Sequence, residues 1–194
     1  TRKRDEGSVS ILAMDPEKDR KRLFARVGVQ FQQTSYQEKI RVDEACEVTA
    51  SLYPHAREWK TLLEQFGLAD KRKSYVRELS GGERQRLSVA LALIPEPEII
   101  FLDELTTGLD PKSRREIWKR LKDLKDDGVT IILTSHYMDE VEHLCDRIAI
   151  MKDGSMAAQG SPRELMEAHG AKNLEDVFLM YMERDENDPE ETEL

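Results

Sequence analysis

Two short segments, separated by one apolar helical run, constrain the fold of this chain most. The first is residues 79–86 (LSGGERQR), after which apolar residues recur at helical spacing until Pro95. The second is residues 99–104 (IIFLDE), a short unbroken apolar run that ends in two acids. Such a run is typical of a parallel strand covered on both faces, so the two segments together predict an α/β fold.

The first segment has the chemistry of an anion site. Gly81 and Gly82 lack the Cβ atoms that would keep a ligand from the main chain, and Ser80 adds a hydroxyl before the helix. The free N–H groups and the positive dipole end of the helix favour an anion there. An ordinary Ser-Gly-Gly helix cap explains the same three residues, so this segment alone does not distinguish an anion site from a helix cap.

The two acids of the second segment indicate what the anion site is for. Asp103 and Glu104 follow the carboxyl end of a predicted strand, where ligands bind in open α/β sheets. One carboxylate can hold Mg²⁺ while its neighbour orients or deprotonates a water molecule. A solvated acidic turn is the alternative for a lone Asp-Glu pair. Taken together, the two segments predict a nucleotide-hydrolysis half-site.

Five motifs, in one order and at similar spacing, resemble those of the ATP-binding cassette (ABC) ATPases. The resemblance runs from about residue 7 to about residue 177. The motifs are VGVQFQ at 27–32 (the strand into the glutamine loop), LSGGE at 79–83 (the signature motif), IIFLDE at 99–104 (the Walker B strand), TGLD at 107–110 (the D-loop) and TSH at 134–136 (the switch histidine).

The resemblance implies a catalytic and metal-binding role for four residues. Asp103 would bind Mg²⁺, and Glu104 would act on the attacking water. Gln32 would contact Mg²⁺ or that water, although Gln33 is adjacent and the assignment can shift by one position. His136 would contact the γ-phosphate and sense its loss, whereas a lone histidine at a strand end is more often structural.

The resemblance also implies that ATP binds between two copies packed head to tail. Ser80, Gly81 and Gly82 of one copy would contact the ATP that the other copy holds. Asp110 would reach across to the P-loop of that second copy. Asp110 before Pro111 is also a plain helix N-cap and first turn, so the two interpretations of this residue coexist.

The implied fold is like that of the P-loop NTPases, a mostly parallel sheet flanked by helices, with an inserted helical subdomain over about residues 42–94 that carries the signature motif. None of the ten glycines is followed by lysine, so these 194 residues contain no G-x-x-x-x-G-K-[ST] P-loop. Residues 7–11 resemble the strand that follows the P-loop helix in the family. We therefore expect a partial ABC ATPase domain over residues 1–182, with the first strands and the P-loop missing.

Composition and charge exclude some classes of partner. The chain is 39% hydrophobic and 36% charged, as in soluble globular proteins, and contains no run of the ~20 apolar residues that span a bilayer. Its net charge is −9, of which residues 183–194, with seven acids and one arginine, contribute −6. That acidic tail is predicted to be disordered. The rest of the chain carries a net charge of about −3, so neither part is basic. This argues against nucleic acid as a partner.

Within the family, residues 136–140 (HYMDE) and 173–179 (NLEDVFL) are most similar to ATPase subunits of ABC-2 type exporters, including drug-resistance systems. The resemblance implies an ATP-binding and ATP-hydrolysing subunit, with Mg²⁺, that powers export through a separate transmembrane permease. It would be cytoplasmic and peripheral at the inner face of the cell membrane. Without a P-loop, we expect the chain alone to be inactive. The alternatives are a non-catalytic cassette that binds a partner and a soluble, non-transport ABC ATPase.

Two further expectations concern single positions. Leu105 stands where the family usually has proline, which frees a backbone N–H without removing a reacting group. Tyr36, Ile40 and Val42 are candidates for a groove that receives the permease, or they simply seat their loop on the domain.

Overall fold

The structure, a computed structural model, describes residues 4–32 and 36–183. It divides into two compact units, Thr1–Thr134 and Ser135–Leu194. In chain order the elements of the first unit are α1 (Arg20–Phe24), β1 (Val27–Gln30), α2 (Val42–Ser51), α3 (Trp59–Gln65), α4 (Gly81–Leu93), β2 (Ile99–Asp103), α5 (Pro111–Asp126) and β3 (Thr130–Thr134), with 3₁₀ turns at Ala69–Lys71 and Val76–Glu78. Those of the second unit are α6 (Met138–Leu144), β4 (Ile148–Lys152), β5 (Ser155–Gly160), α7 (Pro162–His169) and α8 (Leu174–Glu183).

The first unit is built on a parallel sheet in the order β1-β2-β3. Strand β2 lies in the centre, with Ile100 and Leu102 fully buried. The α/β fold with a parallel sheet flanked by helices is thereby confirmed. The mostly apolar run at 129–133 predicts a second buried strand. Strand β3 is more exposed than that, since it pairs with β2 alone among the described strands and Ile132 remains 44% exposed.

The helical region of the first unit follows its capping and stop signals. Residues 42–94 contain α2, α3, α4 and the two 3₁₀ turns, and no strand. The helical spacing predicted from Val42 to Leu68 is interrupted after Ser51, because Pro54 cannot continue a hydrogen-bonded helix. Gly67 ends α3 with a left-handed φ of +64°, as its position predicts.

Two predictions about single segments need correction. Residues 7–12 alternate like a strand, but the structure makes only an isolated bridge between Ile11 and Met14, because Leu12 and Ala13 turn the chain with φ of 51° and 58°. Val42 is fully buried, so it packs in the core and does not line a groove, whereas Tyr36 and Ile40 are half-buried.

The second unit is a β-hairpin with three helices. An Asp-Gly pair between two strand-like runs predicts a hairpin, here at residues 153–154. Strands β4 and β5 do pair antiparallel, and the turn between them uses Asp153 and Gly154 with φ of 49° and 78°. The sequence SPRE at 161–164 predicts a capping box with proline at the first turn, and Ser161 caps α7 in this way. The core of the second unit contains Ile150, Leu165, Leu174 and Val177.

The acidic tail lies outside the described residues from 184 onward, so its predicted disorder stays a prediction. Within the described ranges, no helix is both long and apolar enough to cross a membrane.

Gly28 fixes how α4 crosses the sheet. A Cβ added to Gly28 would lie 2.3 Å from the Ala92 carbonyl oxygen and 3.2 Å from Cγ of Pro97. The backbone of the helix therefore packs directly on strand β1, in a space that admits no side chain.

We predict that Gly28→Ala destabilises the chain by about 1–3 kcal/mol, since the methyl group must displace helix backbone. Urea unfolding followed by circular dichroism measures this loss. Gly81→Ala adds the same methyl group where nothing lies within 4 Å, and serves as the control. Equal stability of the two variants would contradict the contact between α4 and β1.

Candidate functional site

Asp103 is fixed by both neighbouring strands at the carboxyl edge of the sheet. It is the last residue of β2, opposite Thr134 of β3. Oγ1 of Thr134 donates to Oδ1 of Asp103 over 2.5 Å, and the Asp103 N–H donates to Oε1 of Gln30 over 3.0 Å. The carboxylate is exposed, so it is oriented from within the protein and open to a ligand.

Gln30 is a site residue that the sequence analysis missed. Its side chain is 2% exposed, and its amide accepts from Asp103 and donates to the carbonyl of Phe31 over 2.6 Å. The signal was present in the sequence, since Gln30 is a polar residue in an otherwise apolar strand. Buried polar side chains usually have at least one hydrogen-bond partner, and Gln30 has two within the protein.

Glu104 and Gln32 meet although they are 72 residues apart. Nε2 of Gln32 donates to Oε2 of Glu104 over 2.6 Å, and Oγ1 of Thr107 donates to the same oxygen over 3.4 Å. The Glu104 N–H donates to the carbonyl of Thr134 over 3.0 Å. The predicted partners are thus brought together in the first unit, while Gln33 lies outside the described residues.

Glu104 has an unusual backbone. Its φ is +46°, a left-handed conformation that costs a residue with a Cβ about 1–2 kcal/mol. Leu105, in the position where proline was expected, is fully buried. A residue before proline is pushed towards extended conformations, so leucine here leaves Glu104 free to take the left-handed one.

The donor atoms at this edge fit Mg²⁺ bound together with a phosphate. Within residues 4–32 and 36–183, no group of three or more His, Cys, Asp or Glu side chains could hold a metal ion alone. Mg²⁺ in nucleotide sites takes only one or two protein carboxylates, with phosphate and water oxygens completing its octahedron. The Asp103 carboxylate and the Gln32 amide oxygen supply hard ligands of that kind.

The predicted signature motif forms the start of α4. Ser80 is the N-cap: its Oγ accepts from the Glu83 N–H over 3.2 Å, and Oε2 of Glu83 accepts from the Ser80 N–H over 2.7 Å. Gly81 is exposed with nothing within 4 Å of its Cβ position. The first N–H groups of a helix have no partner within it, so this end presents donors beside an open surface.

Glu83 is held in its charged form. The backbone N–H of Ser80 is the main cause of its lowered pKa; burial acts against it, and Lys71, with Nζ 3.2 Å from Oε1, adds to the lowering. The capping box is therefore strongest when Glu83 is ionised.

Asp110 caps the neighbouring helix, α5. Its Oδ1 accepts from the N–H groups of Lys112 and Ser113 over 3.0 and 3.1 Å, and its Oδ2 accepts from Oγ of Ser113 over 2.6 Å. The Ser113 hydroxyl, followed by its N–H, lowers the pKa of Asp110. The predicted N-cap and Pro111 at the first turn are both present.

His136 belongs to the second unit and is exposed there. Its ring lies 4.3 Å from that of Tyr137, centroid to centroid, at 37°. The flanking backbone is fixed by Ser135, whose Oγ accepts from the Tyr137 N–H over 3.1 Å and donates to Oε2 of Glu140 over 2.6 Å. Glu140 is fully buried, and it is a second residue that the sequence analysis did not single out.

Comparisons with known proteins agree with the motifs. The family model described as "ABC transporter" matches residues 1–107. The chain belongs to the ABC transporter family. Among relatives, it is 36% identical over 180 residues to "Daunorubicin resistance ATP-binding protein DrrA3" of Streptomyces coeruleorubidus, covering 90% of this chain and 57% of the relative. It is 47% identical over 118 residues to "Nod factor export ATP-binding protein I" of Rhizobium sp. (strain N33), covering 61% of this chain and 39% of the relative.

Solved structures of ABC proteins share the fold. "Structure of ATP binding subunit of ABC transporter" superposes with a TM-score of 0.81 at 21% identity, covering 92% of this chain and 78% of that one. The ADP conformation of MJ1267, an ATP-binding cassette of an ABC transporter, superposes with a TM-score of 0.73 at 20% identity, covering 90% and 77%. The predicted family and fold class are thus confirmed. The chain spans about half the length of the curated relatives it matches.

We predict that Gln30→Leu lowers the free energy of unfolding by about 1 kcal/mol, because the Asp103 N–H loses its acceptor in the protein. Chemical denaturation measures the loss. Gln65→Leu, at an exposed position near the end of α3, is the matched control. A loss no larger than that of the control would show that Gln30 does not support Asp103.

A second prediction concerns pH. Since the folded pKa of Glu83 lies below its ordinary value of 4.5, its stabilisation is present above that value and is lost as the pH falls through the folded pKa. We expect Glu83→Gln to cost about 0.3–1 kcal/mol at neutral pH and progressively less in acid. Urea titrations across the pH range test this, with exposed Glu64→Gln as the control. A difference independent of pH would contradict the role of the charge.

Proposed function

We propose that this chain contributes the catalytic carboxylates and the signature motif of an ATP-hydrolysing subunit of an ABC exporter. The observation that carries the proposal is the meeting of Gln32 and Glu104 over 2.6 Å beside Asp103, at the carboxyl edge of a parallel sheet. This edge is where open α/β sheets bind their ligands. The family membership of the chain makes ATP the expected ligand.

The roles of the side chains follow from their positions. Asp103, oriented by Thr134 and Gln30, would hold Mg²⁺ with Gln32, and Mg²⁺ would neutralise charge on the phosphates. Glu104, half-buried and hydrogen-bonded by Gln32 and Thr107, would orient or deprotonate the attacking water. His136 would contact the γ-phosphate, a role that rests on its TSH motif at 134–136. Phosphoryl transfer needs little more than such positioning and charge neutralisation.

The signature motif would act on the nucleotide of a second copy. Its open helix start, with Gly81 unobstructed, is suited to a γ-phosphate approaching from outside the chain. In a head-to-tail pair, Ser80, Gly81 and Gly82 of one copy would complete the ATP site of the other copy. Asp110 would contact that copy's P-loop. ATP would then hold the two copies together until hydrolysis.

Export is the direction that the relatives support. Two of them are named for daunorubicin resistance and for Nod factor export. We infer that this chain works with a separate transmembrane permease at the cytoplasmic face of the membrane, and that the permease selects the cargo. The half-buried Tyr36 and Ile40 remain candidates for its contact surface. Burial of the Tyr36 phenol raises its pKa to about 12.

The test compares two proteins: the 194-residue chain, and a longer product of the same reading frame that includes a P-loop. We expect Mg²⁺-dependent phosphate release from ATP by the longer protein only. Glu104→Gln should lower its turnover at least about 100-fold while ATP binding persists, because positioned acid–base groups contribute about 10²–10⁴-fold. Glu64→Gln, an exposed acid on α3, is the control.

Two outcomes would change the proposal. Phosphate release by the 194-residue chain that depends on Glu104 would overturn the requirement for a P-loop. A reading frame without any P-loop would instead favour the non-catalytic module that binds a partner.

A further inference from the structure

Gly82 lies against the start of a different helix. A Cβ at this position would come 3.0 Å from Oγ and 3.3 Å from Cβ of Ser113, in the first turn of α5. The preceding glycine, Gly81, has nothing within 4 Å of the same point. The two adjacent glycines therefore differ: Gly81 borders open space, whereas Gly82 borders Ser113.

Ser113 is already engaged on its other side. Its hydroxyl donates to Oδ2 of Asp110 over 2.6 Å, and its N–H donates to Oδ1 over 3.1 Å. The side chain of Ser113 thus stands between the main chain of Gly82 and the carboxylate of Asp110. A displacement of the hydroxyl towards either neighbour changes its distance to the other.

A second link joins the same two helices one turn further along. Nη1 of Arg86 on α4 lies 3.3 Å from Oε2 of Glu116 on α5. The Arg86 side chain is 16% exposed and that of Glu116 is 49% exposed. This pair is a second contact between α4 and α5, beside the approach of Gly82 to Ser113.

We propose that Ser113 is a positioning residue that couples the signature glycines to the D-loop aspartate within one chain. A glycine is then required at position 82 for two reasons: a phosphate must reach its main chain, and Ser113 packs against it. The proposal rests on the proposed function for its consequence: Gly82 and Asp110 would both face the second copy, and Ser113 would fix the spacing between them. Its geometry concerns this chain alone.

The experiment follows the carboxyl carbon of Asp110 by NMR during a pH titration of the full chain, without nucleotide. Ser113→Ala removes the hydroxyl and should move the Asp110 midpoint upward, towards the ordinary value. Gly82→Ala should move it in the same direction, because the new methyl displaces that hydroxyl. In the double variant the two shifts should not add, since both act through one hydrogen bond.

Gly81→Ala is the matched control and should leave the Asp110 midpoint unchanged. Equal shifts from Gly81→Ala and Gly82→Ala would overturn the proposal, as would additive shifts in the double variant. If Gly82→Ala does not fold, the Ser113→Ala variant alone tests the proposal. We expect it to raise the Asp110 midpoint and to shift the amide signal of Gly82 more than that of Gly81. An unchanged Asp110 midpoint would overturn the coupling. Because no ATP is present, the result does not depend on whether the chain belongs to an exporter.

Discussion

The parallel pairing of β2 with two neighbours is the constraint on which the candidate site depends. It brings Gln30, Asp103 and Thr134 to one edge of the sheet although they are distant in sequence. The hydrogen bonds from Thr134 and to Gln30 then orient Asp103 from both sides. An exposed carboxylate would otherwise sample several rotamers, and ordering it costs side-chain entropy. Here the sheet has already ordered it before any ligand arrives.

The sequence predicts this fold best where the signal is local. Ser80, Asp110 and Ser161 cap their helices as expected, because a cap needs only a side chain and the next three N–H groups. The Asp153-Gly154 turn is local in the same way. The strand expected at residues 7–12 is wrong because a strand needs a partner. Alternation alone cannot distinguish a paired strand from the tight turn at Leu12 and Ala13.

The candidate site shows the same limit. Motif spacing identified Asp103, Glu104 and Gln32. A polar Gln30 in an apolar strand was a signal of further hydrogen bonding, but the residues that it would bind were not predictable from the sequence. Gln30 is the last residue of β1, and its role is visible only because Asp103 of β2 donates to it. Glu140 has the sequence of an exposed helix acid, but Ser135 donates a hydrogen bond to it. Burial of a polar group is decided by distant chain segments, so only the fold reveals that Gln30 is 2% exposed and Glu140 fully buried.

Glycine in the signature segment illustrates why a motif can carry more than one constraint. Gly81 borders open space, so no contact within the described chain requires a glycine there, and the proposed approach of a phosphate is its one constraint. Gly82 has a second explanation in the 3.0 Å approach to Ser113, which would persist if no nucleotide ever bound. A chain that had lost catalysis would therefore tolerate a side chain at Gly81, whereas the contact with Ser113 would still require glycine at Gly82. Substitutions at the two glycines separate ligand binding from internal packing.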